Sequence, residues 1–402
     1  MSDTTVQARS GTGHYLVLFH QDRMEAGIRH LSELAQLRIQ HWSEDGVGAL
    51  DESRALVFDH IGVAFVRCSE PARARLVGAA ADGESILAVE PERIVHAIGV
   101  TPVTPGSPAA RPEERVSWGI HAVGAGGSTL TGQGIRIAVL DTGLDLSHPD
   151  FAGRSIESRS FVAGQPVQDG NGHGTHCAGI AAGPRDPEGG TRYGVAGEAG
   201  LYIGKVLGDD GSGGDGGILE GINWAVAQGC DIVSMSLGSP VEPGQSYSRV
   251  FEEVAKRALA AGTLIVAAAG NDSQRPDSIA PVGHPANCPS IMAVAAVDQN
   301  LNVAPFSSGG LQGDGGEVNL AAPGVDVLSS WPGNELYRSL SGTSMATPFV
   351  AGVAALHAQQ DPQVRAARLA VRLVDGAQAL RDPPRDVGTG LVRAPDIGQE
   401  GL

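Results

Sequence analysis

Three side chains of this 402-residue chain have the types and surroundings that nucleophilic catalysis requires. Asp141 directly follows the apolar run 135–140, and Thr142-Gly143 turns the chain away. His173 lies in Asp169-Gly-Asn-Gly-His-Gly-Thr-His176, where glycine permits a tight turn ahead of a helix. Ser344 lies in Ser341-Gly-Thr-Ser-Met-Ala-Thr-Pro348, at the start of a long apolar stretch. At a helix N-terminus a serine has unpaired backbone N–H groups beside it and the positive end of the dipole. A serine hydroxyl alone is a weak nucleophile. It becomes a strong one when a histidine takes its proton and a carboxylate fixes that histidine's tautomer. The reaction develops an oxyanion. The side-chain amide of Asn271, beyond the apolar run 263–268, and the N–H of Ser344 are suited to receive it.

These groups need a frame that brings distant segments together. From residue 134 onward the sequence predicts apolar strands over 135–140, 201–206, 231–236, 263–268 and 291–297. Between and after them it predicts helices over 173–182, 217–228, 249–261, 344–360 and 364–380. Near-continuous apolar strands alternating with helices imply an α/β fold, a mostly parallel sheet with helices on both faces. Such sheets bind ligands at the carboxyl ends of their strands, where Asp141 and Asn271 fall. Residues 14–98 read as a smaller α+β unit, with strands over 15–19, 55–58, 63–67 and 86–89 and helices over 23–37 and 71–81. That order, β-α-β-β-α-β, is the ferredoxin-like plan. The Pro-rich stretch 99–115 reads as a linker, which leaves 116–402 as the larger domain.

Composition excludes several classes of function. The net charge of −17 argues against binding nucleic acid or an anionic membrane, since clustered Lys and Arg are the footprint of such binders. No run of about 18 apolar residues is present, so no membrane span is expected. Residues 1–13 are polar and lack the apolar core of a signal peptide, so a cytoplasmic location is expected, or secretion if the true start lies upstream. Cys68, Cys177, Cys230 and Cys288 show no paired metal spacing and are too few for a disulfide scaffold. His173 and His176 lack the glutamate of the zinc-protease helix, so His176 is expected to be a packing residue.

The motifs Val139-Leu-Asp-Thr-Gly143, Gly172-His-Gly-Thr-His-Cys-Ala-Gly179 and Gly342-Thr-Ser-Met-Ala-Thr-Pro348 occur in the order Asp, His, Ser, with Ala269-Gly-Asn271 before the last. With them the stretch 116–360 resembles the subtilisin-like serine proteases, or subtilases. The resemblance implies a serine endopeptidase acting on a peptide or protein, with Asp141, His173 and Ser344 as triad and Asn271 as oxyanion donor. It implies no cofactor for the chemistry. It also implies that 14–98 is an inhibitory propeptide, so that the chain is made as a self-inhibited zymogen and first cut near Ile98. Gly211, Ser212 and Gly213 would line one side of an extended substrate, and Ser236, Leu237 and Gly238 the other. Ser236 to Gly238, with Ala268, Ala269 and Gly270, would wall the pocket for the residue before the scissile bond. Walls so small suit a sizeable apolar side chain, while Asp272 would attract a basic one. A cysteine like Cys177 lies under the active site of proteinase K-like members and makes them sensitive to mercurials. Asp150 matches a calcium ligand of the family, with Asp186 and Glu188 as further candidates for a structural calcium. A monomer is expected. Two other readings stay open: a dedicated processing protease for one partner, such as the leader of a peptide natural product, and an inactive subtilase-fold binding protein.

Overall fold

The computed structural model describes residues 12–43, 53–98, 115–311 and 315–396, so the expected linker lies outside it except for Arg115. The first unit contains β1 (His14–Phe19), α1 (Met24–Ala35), β2 (Arg38–His41), β3 (Arg54–Phe58), β4 (Val63–Arg67), α2 (Glu70–Asp82) and β5 (Ile86–Pro91). Its sheet runs β2-β3-β4-β1-β5, and the antiparallel part β3-β4-β1-β5 has the ferredoxin-like order. The addition is β2, a short strand parallel to β3 at the edge. Its residues, Arg-Ile-Gln-His, carry too little apolar pattern to be read as a strand.

β1 explains why both faces of this sheet are apolar. Successive side chains on a strand point to opposite faces. Tyr15, Val17 and Phe19 pack with Ile28, Leu31 and Leu76 of the unit's own helices. Leu16 and Leu18, with Leu56 and Phe58, join the core of the larger domain.

The chain continues through β6 (Ile94–Ala97), α3 (Trp118–Ala122), β7 (Arg136–Asp141), β8 (Ile156–Ser160), α4 (His173–Ala182), β9 (Gly200–Lys205) and β10 (Ser212–Gly214). It goes on through α5 (Asp215–Ala227), β11 (Ile232–Met235), β12 (Leu237–Gly238), α6 (Arg249–Ala261), β13 (Leu264–Ala268), β14 (Met292–Val297) and β15 (Leu320–Pro323). Last come β16 (Val327–Ser330), β17 (Tyr337–Leu340), α7 (Thr343–Gln360) and α8 (Ala366–Asp375). A seven-stranded sheet runs β15-β14-β13-β11-β7-β9-β8, and every neighbouring pair is parallel.

One face of that sheet is covered by α4, α7 and α8, the other by α5 and α6. α7 is buried all round from Thr343 to Ala358, as a helix apolar on every side must be. The five expected strands are found to within one residue at each end. The expected helix 364–380 stops at Asp375, before Gly376. The chain passes from one side of β7 to the other between β9 and β11, so the strand order reverses at β7 and β11. The crevice at such a reversal is where open α/β sheets bind ligands, and β7 ends there on Asp141.

Candidate active site

Asp141, buried at the end of β7, and His173, the first residue of α4, meet with His173 Nδ1 2.8 Å from Asp141 Oδ1. Thr142 N–H donates to the same oxygen at 2.7 Å. Burial opposes a charge on the imidazole, but the Asp141 carboxylate outweighs it and holds the pKa of His173 well above the ordinary value. Ser344, the second residue of α7, is fully buried. Its hydroxyl faces the carbonyls of Ser236, at 3.1 Å, and Ile98, at 3.3 Å. His173 Nε2 has no hydrogen-bond partner among the described residues, so the hydroxyl is turned to those carbonyls and not to the imidazole.

Asn271 follows β13. Its Oδ1 accepts from both the N–H and the hydroxyl of Thr343, each at 2.9 Å. That anchor ties the amide to the first turn of α7. It fixes Nδ2 as the donor end of the amide, in a residue that lines the cavity beside Ile98.

β6 lies antiparallel between β10 and β12. Ser212 pairs with His96, Gly213 with Val95, Leu237 with Ala97 and Gly238 with His96. Ala97 N–H donates to Gly211 O at 2.8 Å and Ile98 N–H to Ser236 O at 3.4 Å. All six expected edge residues therefore touch this strand. Gly213 has no room for a side chain, since a Cβ there would sit 2.4 Å from Val206 O. A cavity of about 410 Å³ opens beside Ile98, and Gly238 and Gly270, one from each expected wall, line it. Ala268 and Ala269 are buried beneath it, and Ser236 Oγ donates to Ser344 O at 2.8 Å. Ser239, Pro240 and Gly283 complete the lining. Gly283 arrives through the bridge between Ser239 and His284, a long-range pairing with no local signal. Asp272 lines the cavity as well.

Further contacts tie the first unit down. Glu90 accepts from Ser248 Oγ at 2.6 Å and Val250 N–H at 3.2 Å, at the start of α6. Glu92 accepts from Gly216 N–H at 3.2 Å, at the start of α5. Both carboxylates satisfy donors that a helix N-terminus leaves unpaired. Arg257 of α6 donates to the carbonyls of Phe19, Ile61 and Gly62.

His176 is buried, and its Nε2 faces the carbonyls of Val327 and Arg338 at 3.1 and 3.0 Å. Burial pushes its pKa down to about 3, so it packs as a neutral ring, as expected. Cys177 lies under the site, its Sγ 3.9 Å from His173 Nδ1 and 3.6 Å from Ser344 O. Burial raises its thiol pKa. Asp150 does not fit a calcium site. Its Oδ2 accepts from the hydroxyls of Tyr193, at 2.5 Å, and Tyr337, at 3.0 Å, and its Oδ1 from Glu188 N–H at 2.9 Å. The side chains of Asp186 and Glu188 are exposed and form no cage with it.

The subtilase family model matches residues 132–390. The chain is 42% identical over 285 residues to the M-protease of Shouchella clausii (strain KSM-K16) and to subtilisin BL and subtilisin Savinase of Lederbergia lenta. Each match covers 70% of this chain, and it covers 69%, 98% and 98% of those proteins respectively.

Proposed function

This chain belongs to the subtilase family and is a serine endopeptidase, and from that premise we propose which residues act and how the chain restrains itself. Ser344 is the nucleophile. A rotation about its Cα–Cβ bond turns Oγ from the Ser236 carbonyl to His173 Nε2, which takes the proton as Oγ bonds to the scissile carbonyl carbon. Asp141 holds Nδ1–H and stabilises the imidazolium. Asn271 Nδ2 and Ser344 N–H receive the oxyanion. The tetrahedral adduct expels the amine, which takes the proton back from His173. Water then releases the acyl group by the same steps in reverse. The chemistry of the family needs no cofactor.

Residues 14–98 are the enzyme's own inhibitor, joined through the linker 99–115 to the catalytic domain 116–402. One observation carries this reading. β6 pairs with both β10 and β12, and the carbonyl oxygen of the next residue, Ile98, lies 3.3 Å from Ser344 Oγ. Ile98 is then the residue before the first bond cut, and an apolar side chain is the preferred occupant of its pocket.

Expression of wild type and Ser344→Ala tests the whole assignment. Wild type should split after Ile98 into two pieces that stay together, and its larger piece should react with a fluorophosphonate. Ser344→Ala should remain full length and unlabelled. Labelling that survives in Ser344→Ala would displace the nucleophile. Fully active, uncut wild type would show that 14–98 is not an inhibitor.

A further inference from the structure

We propose that a second buried carboxylate, Asp169, is the positioning residue that sets Asp141 and His173 against each other. The inference rests on the catalytic roles proposed above for that pair.

α4 begins with His173, and its N-cap residue, Gly172, has no side chain with which to satisfy the first turn. Other residues do so. Asp169 Oδ2 accepts from Thr175 N–H at 2.9 Å and from Thr175 Oγ at 2.7 Å. Thr142 Oγ accepts from Gly174 N–H at 2.8 Å. Thr142 in turn donates its hydroxyl to Asp169 Oδ1 at 2.9 Å. The same Oδ1 accepts from Gly172 N–H at 2.8 Å and Asn171 N–H at 3.0 Å. One carboxylate therefore takes five donors, two from the turn into α4, two from Thr175 in the first turn of that helix and one from the residue that follows Asp141.

Thr142 is the link to the other half of the pair. Its N–H donates to Asp141 Oδ1, the oxygen that faces His173 Nδ1. Its carbonyl is held from behind by Nζ of the fully buried Lys205, at 2.5 Å. The two segments also touch backbone to backbone. A Cβ on Gly174 would lie 2.3 Å from Gly143 O, so nothing separates the turn after β7 from the first turn of α4. Asp169 itself is buried and has no ion-pair partner among the described residues. Its charge is held by hydrogen bonds alone. An unmade bond to such a group leaves a donor unsatisfied or shifts the segment that carries it.

An amide in place of this carboxylate must turn an NH₂ toward either the three donors at Oδ1 or the two at Oδ2. The turn or the helix then moves, and the distance between Asp141 and His173 moves with it. A misplacement of about 1 Å between reacting groups costs about 10²-fold in rate. In matured enzyme, Asp169→Asn should lower kcat by about 10–10² while KM changes less than about twofold. The low-field proton resonance of His173 Nδ1–H should shift or broaden. Thr142→Val, which removes only the bridging hydroxyl, should reproduce the kcat loss, and Thr142→Ser should restore it. Asp145→Asn serves as control. The Asp145 carboxylate accepts from Ser147, Gln168 and the Gly333 N–H and touches neither Asp141 nor His173, and its backbone N–H, which bonds Thr175 Oγ, is kept by the substitution, so the change should alter stability and leave kcat within about twofold. If Asp169→Asn does not fold, the Thr142 pair decides. A folded Asp169→Asn or Thr142→Val enzyme with unchanged kcat and unchanged resonance would overturn the proposal. Ser344 would still label in that case, which leaves the catalytic assignment standing.

Discussion

In the proposed mechanism His173 works as a base only when its ring is neutral. The Asp141 carboxylate holds its pKa above the ordinary value despite burial, so the ring stays protonated to a higher pH than a free imidazole would. Activity should therefore rise with pH through that raised pKa. The acid limb of kcat/KM should lie above about 6.5, where an unperturbed imidazole titrates, and Asp141→Asn should move it down as it removes most of the rate. A wild-type limb at or below the free-imidazole value would contradict the assigned pair. The placement of Asp141, His173, Asn271 and Ser344 at the ends of elements was legible in the sequence because each sits in a short run of glycine and small residues that forces a turn there. Thr343 and Asp169 were not. Their contribution is a set of hydrogen bonds to groups brought close only by folding, and no spacing along the chain announces it.

At the scale of elements, the two glutamates of the first unit stand on the two helix starts that the larger domain presents to it. A capping interaction of this kind is worth about 0.5–2 kcal/mol, about 2- to 30-fold in an equilibrium. Glu90→Ala and Glu92→Ala should each shorten by about that factor the time for which the cut 14–98 piece stays bound, read as earlier onset of activity. Identical onset in wild type and in both variants would mean that β6 and the apolar face of the sheet do all the holding. The buried strands β7, β9, β11, β13 and β14 were readable because they are apolar on both faces. The edges were not. β8 is Ile-Glu-Ser-Arg-Ser and β10 is Ser-Gly-Gly, sequences that become strands only because a neighbour offers hydrogen bonds. For β10 that neighbour is β6, an element of the other unit.

For the whole molecule, the central strand of the three-stranded sheet β10-β6-β12 belongs to the unit proposed above as the inhibitor, and on that proposal it sets the course of activation. Once its bond is cut, the first unit is a product that still fills the site, so each molecule is slow to free itself. A freed molecule, however, can degrade first units released by its neighbours and prevent their return. Activation then spreads as a chain reaction. The active fraction should stay near zero through an induction period and then climb steeply, and a small seed of mature enzyme should shorten that period in proportion to the logarithm of the dose. A progress curve indifferent to seeding would mean that each molecule escapes on its own clock.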